Sequence, residues 1–405
     1  MPFPYIKQIH VNDCFTYQNF DVPIVPLEDF RHIIFTGRNG SGKTTILNRV
    51  GFHLDQLSRG QQIPQAISQI KVTIQGNPNN AGMPGWKNHL MQLEAIVLNF
   101  LSPDYPSTLA RQNTYLFSHY KANRRVEFDE VTTVVTEDAL LKDLEQVKSS
   151  PTKSFTAKLK QYLVNKKIYE AFDIINKRTE NIEQNSHFFG LFTEVLRSVL
   201  KDDRLELEFV QEKFDFYIKY SDGRSVTFNQ LSEGFSSFIS ILTDLFIKAD
   251  IIRKTKGDFS GDIEGIVLID EPETHFHLSM QYEILPLISS LFPKVQLIIA
   301  THSPAVISSL KNAIVFDLTS KEEVADFLLG SSYSDLMIRH FGLDNEFSPI
   351  GDKIISAINR AVRNNNIDEL KLVLEENESY LTPTLRLEIE SQIIKIQSQR
   401  QAAND

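Results

Sequence analysis

Cysteine is almost absent from this chain of 405 residues: Cys14 is the single thiol, so neither an intrachain disulfide nor a cysteine-built zinc site can form. No run approaches about 18 apolar residues, and the mean hydropathy is -0.20, so no membrane-spanning helix is expected. The opening MPFPYIKQIH lacks an apolar core of signal-peptide length, which makes the cytoplasm the expected location. Positive charge is in deficit. The 42 Lys and Arg against 52 Asp and Glu leave a net charge of -10, which argues against a surface devoted as a whole to nucleic acid. Internal repeats and low-complexity tracts are missing too, which removes the solenoid, propeller and collagen classes.

What is present is enough apolar sequence, 41%, for a sizeable core. Tyr5 to His10, Val22 to Val25 and His32 to Phe35 have strand composition, and further β-type runs at Ile70 to Ile74, Leu93 to Phe100 and Val126 to Val135 predict antiparallel strands around the loop 76–86. From 136 to 203 the spacing turns helical, with Leu140, Leu141 and Leu144, then Tyr162, Leu163, Tyr169 and Phe172, then Phe192, Val195, Leu196 and Val199. Alternation returns in 205–210 and in Phe214, Phe216, Ile218 and Tyr220, followed by a hairpin signal at Asp222-Gly223. Ile266 to Ile269 and Val295 to Ala300 are near-continuous apolar runs suited to buried parallel strands. The last 50 or so residues carry helical spacing, and Thr382-Pro383 reads as a helix start. The expected fold is α/β. Its head, 1–135 and 204–330, has an antiparallel β subdomain, a helical insertion at 136–203 and a small helical tail at 331–405.

Gly37-Arg38-Asn39-Gly40-Ser41-Gly42-Lys43-Thr44 fits G-x-x-x-x-G-K-[ST], between an apolar strand and a helical run. Glycines let the backbone curl so that successive N–H groups point at phosphate oxygens, and the helix N-terminus adds partial positive charge. Lys43 would reach the β and γ phosphates and Thr44 would place its hydroxyl on Mg2+, with Thr45 completing the nucleotide-binding segment.

Three downstream segments agree with an ATP site. Leu231-Ser232-Glu233-Gly234-Phe235 opens an apolar helix and resembles the ABC-type signature, although a plain helix cap has the same composition. Ile266 to Asp270 with Glu271 looks like a Walker B strand, in which Asp270 orients the Mg2+ shell and Glu271 polarises the attacking water. Ile299-Ala300-Thr301-His302 resembles the switch-histidine strand, with His302 at the γ phosphate; a lone histidine at a strand end is also compatible with a purely structural role. The chain is therefore identified as resembling an ABC-type P-loop NTPase head. That resemblance implies a head-to-tail homodimer with ATP sandwiched between Lys43 of one copy and Ser232, Glu233 and Gly234 of the other.

Asp270-Glu271-Pro272-Glu273-Thr274-His275-Phe276-His277 sharpens it. The segment is similar to the D-E-P-E-x-H-L-H-P pattern of OLD, RecF and SMC-like ATPases, departing at Phe276 and Leu278. The resemblance places His275 and His277 in the D-loop, which touches the partner protomer. A zinc site is the alternative for these two histidines, without a third ligand nearby. The interval from Lys43 to Ser232 is longer than in transporter heads, and no D-x-D nuclease pattern follows His302. Together with the tail, these features resemble stand-alone prokaryotic defence ATPases of the PtuA (Septu and retron) kind, which implies control of a separately encoded nuclease or toxin. Lys153, Lys158, Lys160, Lys166, Lys167, Lys177 and Arg178 outnumber the acids around them, so the insertion is a candidate DNA contact or else a solvated lysine face. The competing readings are a RecF-like DNA-binding ATPase of repair and a slow-turnover nucleotide-bound scaffold.

Overall fold

The computed structural model describes residues 5–23, 30–76, 82–101, 114–122, 128–136, 139, 156–258, 261–274, 276–324, 349–381 and 383–402. The chain divides into two compact units, Met1–Gly330 and Ser331–Asp405.

The first unit opens with strands β1 (Ile6–Cys14), β2 (Tyr17–Pro23) and β3 (His32–Thr36), then helices α1 (Lys43–Ser58), α2 (Ile63–Gly76) and α3 (Met83–Glu94). Strands β4 (Ile96–Phe100) and β5 (Leu116–Tyr120) follow, then α4 (Leu159–Ile175), α5 (Thr179–Leu200) and the antiparallel strands β6 (Glu206–Val210), β7 (Asp215–Lys219) and β8 (Ser225–Thr227). The long helix α6 (Glu233–Lys256) leads into β9 (Gly265–Asp270), the short helices α7 (Leu278–Gln281) and α8 (Ile284–Leu291), β10 (Val295–Ala300), α9 (Pro304–Ile307), β11 (Ala313–Asp317) and β12 (Glu322–Glu323).

The central sheet has the order β12-β11-β3-β10-β9-β5, parallel except at its β12 edge. Every residue of β3, β9, β10 and β11 is buried, as expected of parallel strands covered on both faces. Ile33, Phe35, Ile266, Leu268 and Ile298 share one core cluster with Ile46, Leu47 and Val50 of α1 and with Ile6, Ile9 and Val11 of the smaller β2-β1-β4 sheet. Gln296, fully buried in β10, ties the two sheets together. Its Nε2 donates to the carbonyls of Ile6 and Arg31 at 3.0 and 2.9 Å, and its Oε1 accepts the Ile6 N–H at 2.9 Å, so the whole amide is satisfied. Gly265 permits the β5–β9 pairing, since a Cβ there would lie 2.3 Å from the Leu116 carbonyl oxygen.

Two expectations need correction. The run Ile70 to Ile74 is not a strand but part of α2: Ile70 is buried against Phe52 and Leu93, whereas Val72 is 68% exposed, which is helical and not alternating spacing. Val126 to Val135 forms no strand among the described residues 128–136; Phe128 and Val131 are buried in irregular backbone, held by an Asn229 Nδ2 bond to the Phe128 carbonyl of 3.3 Å. Leu93 belongs to the last turn of α3, which ends at Glu94, and the strand begins only at Ile96. The described strand that does join the large sheet from this region, β5, is parallel. Leu140, Leu141, Leu144 and Thr382 lie outside the described residues.

α5 packs on α6 through aromatic contacts of Phe188 and Phe192 with Phe246, and α4 joins them through Tyr162, whose ring meets Phe188 and whose hydroxyl donates to Asp250. Most of their described basic residues stand beside carboxylates. Lys160 is 1% exposed and bonded to Glu130 and Asp215, both at 3.1 Å; Lys166 is buried 3.0 Å from Asp250; Lys158, Lys167 and Arg178 pair with Asp129, Glu170 and Asp173. Glu170 and Asp173 belong to the insertion itself, whereas Asp129, Glu130, Asp215 and Asp250 come from other segments.

The second unit is built by α10 (Pro349–Arg363), α11 (Ile367–Glu376) and α12 (Pro383–Ala402) around Ile354, Ile358, Leu370, Ile389 and Ile393. Asn366 caps α11, its side chain accepting the Glu369 N–H at 3.2 Å.

Candidate functional site

The parallel register brings three loops to one edge. Ile34 and Phe35 of β3 lie beside Ile299 and Ala300 of β10, and Ile269 and Asp270 of β9 lie beside the same two residues. The segments after all three strands therefore emerge together at the carboxyl ends of the sheet, where open α/β folds bind ligands.

The loop after β3 turns through Gly37, Gly40 and Gly42, all at positive φ. Gly37 is sterically required as well as conformationally suited, since a Cβ there would lie 2.8 Å from both the Asp317 carboxylate and the Thr319 hydroxyl. At Gly42 a Cβ would meet the Phe15 ring at 2.9 Å. Lys43 opens α1 and is buried; its ammonium donates to the Gly37 and Arg38 carbonyls at 2.8 and 3.2 Å. Burial pushes that ammonium below its ordinary range, while Glu271, Glu273, Asp270 and Asp317 act in the opposite direction. Arg38, Asn39 and Gly40 are exposed, and Ser41 Oγ is buried without a hydrogen-bond partner among the described residues.

Thr44 donates its hydroxyl proton to Asp270 Oδ1 at 3.0 Å, joining the loop to the end of β9. The next residue, Glu271, adopts φ 46, a left-handed conformation that costs a non-glycine residue roughly 1–3 kcal/mol and that clusters at functional sites. It is held by its N–H bond to the Ala300 carbonyl at 2.8 Å and by the Thr274 N–H and hydroxyl, which donate to its carbonyl at 3.2 and 2.9 Å. His302 is half exposed, with Nδ1 3.8 Å from Glu271 Oε1 and 3.4 Å from Glu273 Oε1. The motif comparison had not marked Glu273 as functional; it is 7% exposed and accepts from both Thr301 Oγ1 and the His302 N–H.

A cradle of glycines, a hydroxyl–carboxylate pair of hard oxygen donors, and a buried lysine facing carboxylates match a triphosphate with Mg2+. Ser232 and Glu233 sit apart from these residues in sequence, exposed at the start of α6, while Gly234 is buried. Ser232 makes no capping bond, so its hydroxyl is not engaged in the plain helix-cap role. His277 is exposed at the start of α7, and His275 lies outside the described residues, as does the segment 325–348. Phe276, where the pattern has Leu, is buried edge-on against Phe238 of α6 at 5.8 Å. Among the described residues no group of three His, Cys, Asp or Glu could hold a metal, and no helix is long and apolar enough to cross a membrane.

The fold is that of an ABC-type P-loop NTPase head: a parallel sheet with the P-loop strand and the carboxylate strand flanking the histidine strand, beside an antiparallel sheet. Residues 135–308 match the family model described as "AAA domain, putative AbiEii toxin, Type IV TA system". The chain is similar to the Septu protein PtuA of Bacillus thuringiensis, 23% identical over 364 residues that cover 83% of this chain and 85% of that protein. It is also similar to the "Retron Ec83 probable ATPase" of Escherichia coli, 28% identical over 126 residues, 31% of this chain and 22% of that protein. An Smc head solved in complex with the C-winged helix domain of ScpA aligns with a TM-score of 0.37 at 15% identity, over 77% of this chain and 94% of that one. The sequence matches bear out the resemblance drawn from the motifs: the chain is related to the PtuA and retron ATPases.

Proposed function

We propose that this protein is an ATPase whose catalytic site is completed by a second copy of the chain, and that ATP binding and hydrolysis switch a partner nuclease or toxin in defence against phage. The observation that carries the reading is the convergence of Lys43, the Thr44–Asp270 pair, Glu271 and His302 at the ends of three adjacent parallel strands. Lys43 and the loop N–H groups from Arg38 to Thr45 hold the phosphates, exchanging the lysine's bonds to its own loop for bonds to phosphate oxygens. Mg2+, held by Thr44 and Asp270, neutralises charge on the phosphates when bound. Glu271 takes the proton of the attacking water, and His302 contacts the γ phosphate. Exposed Ser232 and the following Gly234, at the start of α6, contribute hydroxyl and N–H donors to the γ phosphate of the other copy.

The names of the relatives support the defence reading, and the same resemblance supports a separately encoded effector as the output. The test is steady-state ATP hydrolysis together with light scattering. The wild-type chain should hydrolyse ATP, Lys43→Ala should neither bind nor hydrolyse it, and Glu271→Gln should bind ATP and remain dimeric. Parental hydrolysis by Glu271→Gln would remove the base assigned here, and a Glu271→Gln chain that stays monomeric in saturating ATP would remove the shared site.

A further inference from the structure

Glu273 sits where two loops of the candidate site cross. Its carboxylate is buried, Oε1 accepts the Thr301 hydroxyl at 2.6 Å and the His302 N–H at 3.1 Å, and the same oxygen lies 3.4 Å from His302 Nδ1. Oε2 is buried with no hydrogen-bond partner among the described residues. A carboxylate in that position costs folding free energy, because the fold leaves one buried oxygen unsatisfied, and such a group calls for an explanation.

The partners are themselves fixed. Thr301 is fully buried, its N–H bonds the Phe35 carbonyl at 3.0 Å, and its Oγ1 accepts the Ser303 N–H at 3.0 Å. Ser303 donates to Gln281 Oε1 at 2.6 Å, and Gln281 Nε2 donates to the Phe276 carbonyl at 3.0 Å. The loop after β10 and the loop after β9 are thus knitted from both sides of His302. Its imidazole is half exposed, and Nδ1 lies near two carboxylates, Glu271 at 3.8 Å and Glu273 at 3.4 Å.

We infer that Glu273 is a positioning residue for His302: it holds the ring with Nδ1–H turned inward and so presents Nε2 to the nucleotide. The inference rests on the ATPase reading for its consequence, but the hold itself is a property of the free chain. Nδ1 faces carboxylates and carries the proton; the opposite nitrogen, about 2 Å across the ring, is then the one available to a phosphate oxygen or to water. Glu271 stands farther from the same Nδ1, at 3.8 Å.

Glu273→Gln keeps an acceptor oxygen for Thr301 and removes the charge facing Nδ1. The 15N ring resonances of His302 in the full chain should change from a single Nδ1–H form to a mixture of tautomers. In steady-state ATP hydrolysis kcat should fall by about tenfold or more while KM stays within about threefold, as for an interaction made in the transition state. In a His302→Ala background the same substitution should change kcat by less than about twofold, because the two residues act as one unit. Thr301→Val, which removes the hydroxyl that holds Oε1 and keeps the charge, should move both readouts in the same direction, and it decides the question if Glu273→Gln fails to fold. Unchanged ring resonances, or an equal loss of kcat with and without His302, would overturn the inference. Turnover by the wild-type chain no greater than that of Lys43→Ala would overturn the ATPase reading instead, leaving the ring resonances to decide what Glu273 does.

Discussion

Thr44 and Asp270 stand 226 residues apart in the chain and meet at 3.0 Å, where the first turn of α1 passes the end of β9. The bond is partly exposed, so its own contribution to folding is about 1 kcal/mol. Its consequence lies in the oxygen pair it creates. Asp270→Asn should leave the fold intact, abolish the Mg2+ dependence of ATP affinity and lower hydrolysis by about a hundredfold or more. Thr44→Val should do the same more mildly, since one of two donors remains. Calorimetric titration of ATP with and without Mg2+ reads both; an Asp270→Asn chain that still needs Mg2+ would place the ion elsewhere.

Glu271 exchanges stability for position. At φ 46 it is a natural place for glycine, and Glu271→Gly should raise the unfolding free energy by about 1 kcal/mol or leave it unchanged while hydrolysis is lost. Thermal unfolding and phosphate release on the same preparation separate the two effects. A substantial loss of stability would mean that the side chain, and not the backbone, holds this turn together.

How far the sequence reaches is visible in particular segments. The P-loop, the Asp270 strand and the His302 strand were legible because each pairs a buried apolar run with a motif of fixed spacing. Ile70 to Ile74 was not, because Ile-Lys-Val-Thr-Ile satisfies both a period of two and, at its ends, a period near four; burial of Ile70 with exposure of Val72 decides for the helix. The strand β5 buries the polar Ser118 and His119 at the edge of the large sheet, which composition alone does not suggest. Glu273 stands in a recognisable pattern, yet its role depends on Thr301, 28 residues on, and no local spacing encodes that contact.

The insertion offers a test of where its lysines are used. Burial opposes ionisation of Asp250, but the Lys166 ammonium, with Lys254 and the Tyr162 hydroxyl, overrides it and holds the carboxyl below its usual range. Asp250→Asn should cost about 3 kcal/mol, because it removes the carboxylate charge that faces the buried Lys166 ammonium, which keeps the Asn185 side-chain oxygen at 3.2 Å and the Phe188 ring. Duplex DNA should neither stimulate hydrolysis nor bind with a steep salt dependence. Denaturant unfolding of the variant and filter binding at two salt concentrations check the pair. Salt-sensitive DNA binding lost in Lys160→Met and Lys166→Met would show that these lysines leave their carboxylates for phosphates.

Three buried histidines make the fold acid-sensitive. Burial pushes His32, His53 and His119 down to about 4 from an ordinary value near 6.5. The neutral form is built in: His32 Nδ1 accepts the Leu297 N–H at 3.0 Å, and His119 Nε2 is buried with no partner among the described residues. Above pH 6.5 the folded and unfolded chains are both neutral at these rings and the stability is complete. As pH falls from about 6.5 to about 4 the unfolded chain takes up protons that the folded chain refuses, so stability drops by up to about 3 kcal/mol per ring. Urea unfolding between pH 8 and pH 5 should therefore give a flat upper limb and a steep loss below about pH 6.5. His119→Leu, which fits a buried strand and removes one titrating ring, should reduce the limiting slope by about 1.4 kcal/mol per pH unit, the value of one proton. An unaltered slope in that variant would mean that His119 is already protonated in the folded chain, and that its burial is matched by a charge the ring can pair with.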